Sequence, residues 1–336
     1  MLKKFWKKIY EIIVFVFSYQ IEWINTINVV FKKNKKILAI VYIFFSPIII
    51  IRFVLGFINE ITVGKLTVKK QINTDKKTEF DYSLAIVAIL KNESPYILEW
   101  IEFHHRLGVE KFYIYDNEST DDIVNVLSHY IDSGLVEYKY FPGKCRQLDA
   151  YNDAISNYKN LCKYMGFIDL DEFIIPADIN ESIFDVVEKV LSLNYQFGGI
   201  GINWLIYGSA GHVTKPSGGV LENYLYRSDF RFVYNYHIKT VCNPRLVNKY
   251  VSPHYPIYKR GAFSVDENGV RLYGWYNHHR EYTKIRINHY FCKSKEEALA
   301  KWNRGLADRS GKYDWTKFEI HDKNDIYDPI AIRYNQ

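Results

Sequence analysis

Apolar residues in this chain come in runs that stop abruptly at polar loops. From Ser83 to Leu90 the sequence SLAIVAIL is continuously apolar and of strand length, the pattern of a parallel strand buried on both faces. Asn92-Glu93-Ser94-Pro95 ends it. Ser94 suits a helix N-cap with Pro95 in the first turn. Ile97, Trp100, Ile101, His104 and Leu107 then recur at helical spacing, and Gly108 closes the helix. A strand over Lys111 to Tyr115 follows, then a polar loop, Asp116-Asn117-Glu118-Ser119-Thr120-Asp121, and a helix to Tyr130 capped by Thr120 or Asp121. Next come a strand Leu135 to Tyr140, a helix Arg146 to Tyr158 and a strand Tyr164 to Ile168. Strands and helices alternating about every thirty residues predict an α/β fold with a mostly parallel central sheet and flanking helices. Beyond Pro176 the pattern is less regular. A helix over Glu181 to Leu193 precedes a glycine-rich stretch from Gly198 to Gly219. An aromatic- and His-rich region of short strands comes next, and then a helix from Lys295 to Leu306.

Chemistry concentrates where the fourth strand ends. In Phe167-Ile168-Asp169-Leu170-Asp171-Glu172-Phe173 an apolar run delivers three carboxylates within four residues, then turns apolar again and stops at Pro176. A buried strand does not carry unpaired charges, so the acids belong at its mouth. Asp169 and Asp171 share a face if the segment stays extended, with Glu172 on the other. An Asp-x-Asp pair is a hard-oxygen site suited to Mg²⁺ or Mn²⁺ with phosphate as co-ligand. An acid-rich solvated turn is the competing reading. In open parallel sheets ligands bind at the carboxyl ends of the strands, and Asn92-Glu93, Asp116 and Asp169-Leu170-Asp171 all fall at such ends.

Residues 1–80 are of different material. Residues 37–58 are apolar except for Ser46, Pro47 and Arg52, long enough for one helical span of roughly 20 residues. Pro47 near the middle, Arg52 at depth and lysines on both flanks favour a re-entrant segment broken at Ser46-Pro47; a single span with the body on the far side is the alternative. Residues 5–31 read as an interfacial helix with Lys3, Lys4, Lys7 and Lys8 on lipid headgroups. Residues 1–60 are thus expected to contact membrane lipids, with 61–80 a linker, 81–320 the main domain and 321–336 a C-terminal tail.

Charge sharpens that division. The 336-residue chain has a net charge of +6, yet residues 1–80 alone hold 14 Lys/Arg against 5 Asp/Glu, so the remainder is net acidic. A nucleic-acid partner loses its main support, and an anionic membrane surface gains it. Cys145, Cys162, Cys242 and Cys292 make no Cys-x-x-Cys pair and read as free thiols.

Taken in order, Asn92-Glu93, Tyr96-Ile97-Leu98-Glu99-Trp100, Tyr115-Asp116-Asn117, Ile168-Asp169-Leu170-Asp171-Glu172-Phe173 and Asn288-His289-Tyr290 with Lys293-Ser294 resemble glycosyltransferase family 92, a relative of family 2. The resemblance spans roughly residues 83–310. It implies the GT-A fold of nucleotide-diphospho-sugar transferases and an inverting transfer, often of galactose from UDP-galactose. On this chain it implies that Asp116 binds the donor's nucleoside, with Asn92 and Glu93 lining the same loop. Asp169 and Asp171 would hold Mn²⁺ or Mg²⁺ on the diphosphate, and His289 would complete that site. Glu222, just past the glycine-rich turn, is the first candidate for general base and Asp229 the second. Lys144 and Arg146 could contact the diphosphate, although Arg146 also suits the start of a surface helix. The acceptor expected is a glycan or lipid-linked glycan, and the location expected is a bacterial inner membrane with the catalytic domain cytoplasmic. Two competitors are a sugar nucleotidyltransferase, which would show a glycine-rich loop with Arg after the first strand, and a non-catalytic membrane-bound protein of the same fold.

Overall fold

The computed structural model describes residues 64–74, 79–259, 261–279, 281–303 and 315–334. The chain divides into two compact units, Met1–Gln71 and Ile72–Gln336. The membrane segments expected within residues 1–60 lie outside the described residues. Among those described, no helix is long and apolar enough to cross a membrane. Helix α1 (Lys65–Thr74) lies inside the span predicted as a linker.

The second unit alternates as the sequence predicts. In order come β1 (Tyr82–Leu90), α2 (Ile97–Arg106), β2 (Lys111–Asp116), α3 (Ile123–Asp132), β3 (Val136–Tyr140), α4 (Gln147–Tyr158), β4 (Cys162–Phe167), β5 (Glu172–Pro176) and α5 (Ile183–Leu191). The less regular half supplies β6 (Phe197–Ile206), a short helix α6 (Val220–Asn223), β7 (Tyr226–Arg227), β8 (Ile238–Cys242), β9 (Val247–Tyr250), β10 (Pro256–Tyr258) and β11 (Phe263–Val265). It closes with β12 (Ile285–His289), α7 (Lys295–Asn303), α8 (Trp315–His321) and β13 (Ile326–Tyr327).

The central sheet among the described residues has nine strands, ordered β3-β2-β1-β4-β8-β6-β12-β5, with β11 alongside β6. It is mixed and, as expected, mostly parallel, with β11 and β12 both parallel to β6. The β3, β2, β1 and β4 strands run parallel, β8 runs against both β4 and β6, and β5 runs against β12. Hydropathy predicts that a strand is buried, not its direction, so β8 and β5 carried no directional signal. Every residue of β1 from Leu84 to Leu90 is buried, as its unbroken apolar run requires.

Two features add detail. The glycines of Gly198-Gly199-Ile200-Gly201 lie inside β6. A Cβ at Gly199 would sit 2.3 Å from the Tyr258 hydroxyl, and one at Gly201 would sit 2.5 Å from Leu272. The glycines are there because neighbouring side chains lie directly on the strand. Residues of the C-terminal tail bond to the main domain. β13 pairs with β7, Asp328 accepts from Arg227 Nε at 2.6 Å and Arg286 Nη2 at 2.9 Å, and the Tyr334 hydroxyl donates to Pro176 O at 2.7 Å.

Helix α2 fixes the acidic turn from behind. The Trp100 indole N–H donates to Glu172 O at 2.8 Å, and the fully buried His104 accepts from Ile174 N–H at 3.1 Å. His104 Nδ1 meets Trp100 O at 2.8 Å, so Nδ1 carries the proton and the imidazole is neutral. Burial lowers its pKa to about 3, against which the Trp100 carbonyl pulls upward. The unfolded chain therefore binds the extra proton first, and stability falls as pH drops below about 6.5. Between pH 7 and pH 5 the wild type should lose up to about 2 kcal/mol more unfolding free energy than His104→Gln, measured by urea denaturation. Equal losses would show that His104 is not held neutral.

Candidate active site

The acids sit on a turn. β4 ends at Phe167, Glu172 N–H donates to Asp169 O at 3.1 Å, and β5 begins at Glu172. Strand parity therefore does not govern the segment: Asp169 and Glu172 share Lys239, while Asp171 faces His289 and Lys301.

Asp169 turns toward α4 and β8. Its Oδ1 accepts from Gln147 Nε2 at 2.8 Å and its Oδ2 from Lys239 Nζ at 2.8 Å. Lys239 is only 1% exposed and also lies 3.6 Å from Glu172 Oε2. Burial alone would depress the Lys239 ammonium, but Asp169 first and Glu172 next raise its pKa well above the ordinary value. Glu172 is fully buried and accepts from Asp169 N–H at 2.9 Å. Burial pushes its pKa well up; Lys239 opposes that and the two aspartates reinforce it. The consistent state is a Lys239–Asp169 ion pair beside a protonated Glu172.

Asp171 turns the other way. Its backbone O accepts from Tyr290 N–H at 2.8 Å, fixing the turn to the end of β12. Its Oδ2 lies 3.5 Å from His289 Nε2 and is ion-paired with Lys301 of α7. Burial would raise the Asp171 carboxyl, but Lys301 first and His289 next hold it well below the usual carboxylate range. Trp204 of β6 packs edge-on against His289 at 4.3 Å and stacks on His237 at 4.9 Å, with His254 at 5.2 Å. Burial depresses both of these further imidazoles, His237 to about 4.

The loops after β1, β2 and β3 are knitted together beside this turn. Asn92 donates its N–H to Ser119 Oγ at 2.9 Å and accepts Thr120 N–H at 2.7 Å. Asp116 accepts Ser119 N–H at 2.9 Å and the Tyr138 hydroxyl at 2.5 Å, so both its oxygens organise the loop. Asn117 Nδ2 donates to Phe141 O and Gly143 O. Asn92, Glu118, Cys145 and Lys293 all have left-handed backbones, with φ between 50° and 62°. They follow β1, β2, β3 and β12 in turn, and such strain collects where loops are held for function.

Among the described residues no group of three or more His, Cys, Asp or Glu side chains is arranged to hold a metal ion. What converges is the pair Asp171 and His289. Two ligands at right angles on one Mg²⁺ ion at about 2.1 Å lie about 3 Å apart, and Oδ2 and Nε2 are 3.5 Å apart. His289 Nδ1 is buried with no hydrogen-bond partner among the described residues. Were the proton on Nδ1, Nε2 would be left with the lone pair that a cation takes. The pair fits a hard ion whose remaining ligands are phosphate oxygens and water. Asp169, expected in the same set, has both oxygens engaged elsewhere.

The family model for glycosyltransferase family 92 matches residues 86–304. The chain belongs to that family. A family 92 protein of Ricinus communis is 28% identical over 151 residues, covering 44% of this chain and 27% of that protein. A galactan beta-1,4-galactosyltransferase of Arabidopsis thaliana is 32% identical, covering 31% of this chain and 22% of the relative. A beta-1,4-galactosyltransferase of Caenorhabditis elegans is 29% identical, covering 32% and 29%. The chain thus spans under a third of the length of these relatives. Among solved structures, the 1–349 fragment of S. aureus TarS in complex with UDP is similar with a TM-score of 0.34 and 14% identity, over 49% of this chain and 47% of that one.

Of the family-derived residues, Asn92 and Asp116 meet through Ser119, and Asp171 and His289 meet directly. Glu93 is buried at the end of β1 and lines a cavity with Lys293 and Lys301. Lys144 is exposed. Arg146 occupies the N-cap of α4, pairs with Asp149 at 2.8 Å and lies over the Phe141 ring. Glu222 accepts Gly219 N–H at 2.9 Å at the N-terminus of α6, and Asp229 accepts Arg231 N–H at 2.9 Å in a surface turn. Neither hydrogen-bonds or ion-pairs with Asp169, Asp171 or His289 among the described residues. Sequence reasoning missed Lys239 and Lys301. Lys239 was legible as a lone charge in the apolar run Ile238-Lys239-Thr240-Val241-Cys242; Lys301 looks like any helix-surface lysine.

Removing Lys239 strands Asp169 beside Glu172. Lys239→Met should destabilise the protein by about 3–5 kcal/mol in urea titrations. A loss under 1 kcal/mol would show that the ammonium does not balance the turn.

Proposed function

We propose that this chain is an inverting glycosyltransferase of the GT-A fold that uses a UDP-sugar, galactose being the leading donor, with Mn²⁺ or Mg²⁺. The observation that carries this reading is the convergence of Asp171 and His289 at the carboxyl ends of the sheet strands, in a chain of family 92. The named activities of the plant and nematode relatives support the choice of galactose.

In this reading the loops bearing Asn92, Glu93 and Asp116 seat the nucleoside, and Asp116 braces its loop through Ser119 and Tyr138. Lys144 and Arg146, on the neighbouring loop, lie at the edge of the diphosphate. Asp171 and His289 hold the cation, which when bound supplies positive charge to the leaving diphosphate. Asp169 acts from behind, clamped by Gln147 and Lys239, and keeps the turn in register. The partly exposed ring of Trp204, with His237 and His254, offers a flat apolar wall for a sugar face. An inverting transfer needs one base to take the acceptor hydroxyl's proton. Glu222 is the better candidate, because its carboxylate is exposed and only Oε1 is used by the helix cap. Asp229 is tied to Arg231 through backbone and side chain alike. The basic, apolar residues 1–60 support membrane association, and with it a lipid-linked or surface glycan acceptor at a bacterial inner membrane.

Thermal-shift titration of UDP-sugars with and without Mn²⁺ tests the donor and the cation together. A UDP-sugar should raise the melting temperature only when Mn²⁺ is present, and Asp171→Asn should abolish that rise while keeping the unliganded melt. A response equal in Asp171→Asn would overturn the assignment. Glu222→Gln should retain the Mn²⁺-dependent shift but lower transfer by 10²-fold or more; unchanged transfer would remove Glu222 as base.

A further inference from the structure

Six aromatic side chains close into a circuit beside Asp171. From His289 the circuit runs to Trp204 at 4.3 Å between ring centroids, on to His237 at 4.9 Å and then to Tyr234 at 5.9 Å. It returns through His321 at 4.2 Å and Phe291 at 4.3 Å, and closes on His289 at 5.6 Å. Buried imidazoles alternate with the partly exposed rings of Trp204, Tyr234 and Phe291.

Two of the imidazoles have spare hydrogen-bonding capacity. His237 Nδ1 lies 3.0 Å from Tyr234 O, and His321 Nδ1 lies 2.7 Å from Lys317 O, so each Nδ1 carries a proton. Burial lowers both pKa values to about 4, and neither ring is charged at neutral pH. Nε2 of each is then a hydrogen-bond acceptor without a partner among the described residues. Trp275 and Tyr276, both partly exposed, prolong the wall from His237 at 5.0 and 4.7 Å. Their segment is anchored, because Asn277 donates Nδ2–H to Asn203 Oδ1 at 2.8 Å and its backbone N–H to Tyr236 O at 2.8 Å. Charge meets the circuit at its edge: Asp171 beside His289, Lys301 over Phe291, and Lys323 over the neighbouring Phe232.

Flat apolar rings edged with hydrogen-bond acceptors match a pyranose, which carries C–H bonds on a face and hydroxyls around its rim. His237 and His321, being uncharged, would not balance the carboxylate of a uronic acid. We propose that this circuit is the acceptor subsite and takes a neutral pyranose unit of the acceptor glycan. The sugar face rests on Trp204 and Tyr234, its hydroxyls donate to His237 and His321, and the next unit meets Trp275 and Tyr276. Helix α8, which supplies His321, lies beyond residues 86–304 matched by the family model. Acceptor choice in this chain thus draws on a segment outside that match. The proposal rests on the glycosyltransferase reading above and adds the class of acceptor and the residues that select it.

Saturation-transfer NMR of the full chain with neutral β-1,4-galactotetraose, and separately with tetragalacturonic acid, tests the subsite, with UDP titrated by calorimetry alongside. Irradiating aromatic protons of the wild type should transfer saturation to the C–H protons of the neutral tetraose, and less to those of the acid. Tyr234→Ala and His321→Ala should each weaken tetraose binding about tenfold, with UDP bound as in wild type. His321→Phe, which keeps a ring but not Nε2, should weaken it about threefold. Matched melting temperatures exclude a folding defect. Tetraose binding unchanged in all three variants would overturn the subsite, and tighter binding of the acid would overturn its neutral occupant. A wild type that binds UDP but not the tetraose would overturn this proposal alone. A wild type that binds the tetraose but not UDP would uphold the subsite and overturn the donor reading.

Discussion

Three carboxylates within four residues, at the end of a strand that is otherwise buried, must be balanced by positive charge or by protonation. The rest of the site follows from that requirement. Lys239 from β8 balances Asp169, Lys301 from α7 and the His289 imidazole from β12 face Asp171, and Glu172 is left to bind its proton. Each partner comes from a different element, so the charges of the turn are balanced only where β8, β12 and α7 meet it. The antiparallel insertion of β8 beside β4 is what brings a buried ammonium to Asp169. The pairing of β5 with β12, His289 opposite Glu172, sets the histidine next to Asp171.

Around this charge-balanced turn the loops are held rather than left free. Asn92, Glu118, Cys145 and Lys293 adopt left-handed backbones just past four strand ends, at a cost of about 1 kcal/mol or more each. Side-chain bonds offset that cost: Asn92 and Asp116 meet on Ser119, and Asn117 reaches the loop after β3. A surface that must present several groups to one ligand gains from such pre-organisation, because less ordering remains to be done on binding.

What the sequence shows well is what local physics decides. The unbroken apolar run of β1, the 3.6-residue rhythm of α2, and the stop at Asp169 each appear in the structure within a residue or two. The acids at strand ends were legible for the same reason: charge does not stay inside a sheet. What stayed hidden depends on distant partners. Nothing local separates Lys301 from a solvated helix lysine until α7 packs beside Asp171. The glycines of β6 have no local reason until Tyr258 and Leu272 are seen lying on them. Parity along Asp169-Leu170-Asp171-Glu172 misled because the chain turns there, so Glu172 is turned inward by backbone geometry rather than by alternation. Glu222 and Asp229 carry the acid chemistry expected of a base, yet local N–H groups already hold them. Their distance from the turn in the bonding network is a property of the fold, not of the motif.

The relation between Asp171 and His289 therefore carries the most weight. Pulsed electron paramagnetic resonance of Mn²⁺ bound with UDP reads it without any turnover. The Mn²⁺ spectrum should show coupling to a histidine nitrogen in the wild type and lose that coupling in His289→Gln, with UDP still bound. A nitrogen coupling that survives in His289→Gln, or that is absent from the wild-type complex, would contradict a cation held between Asp171 and His289.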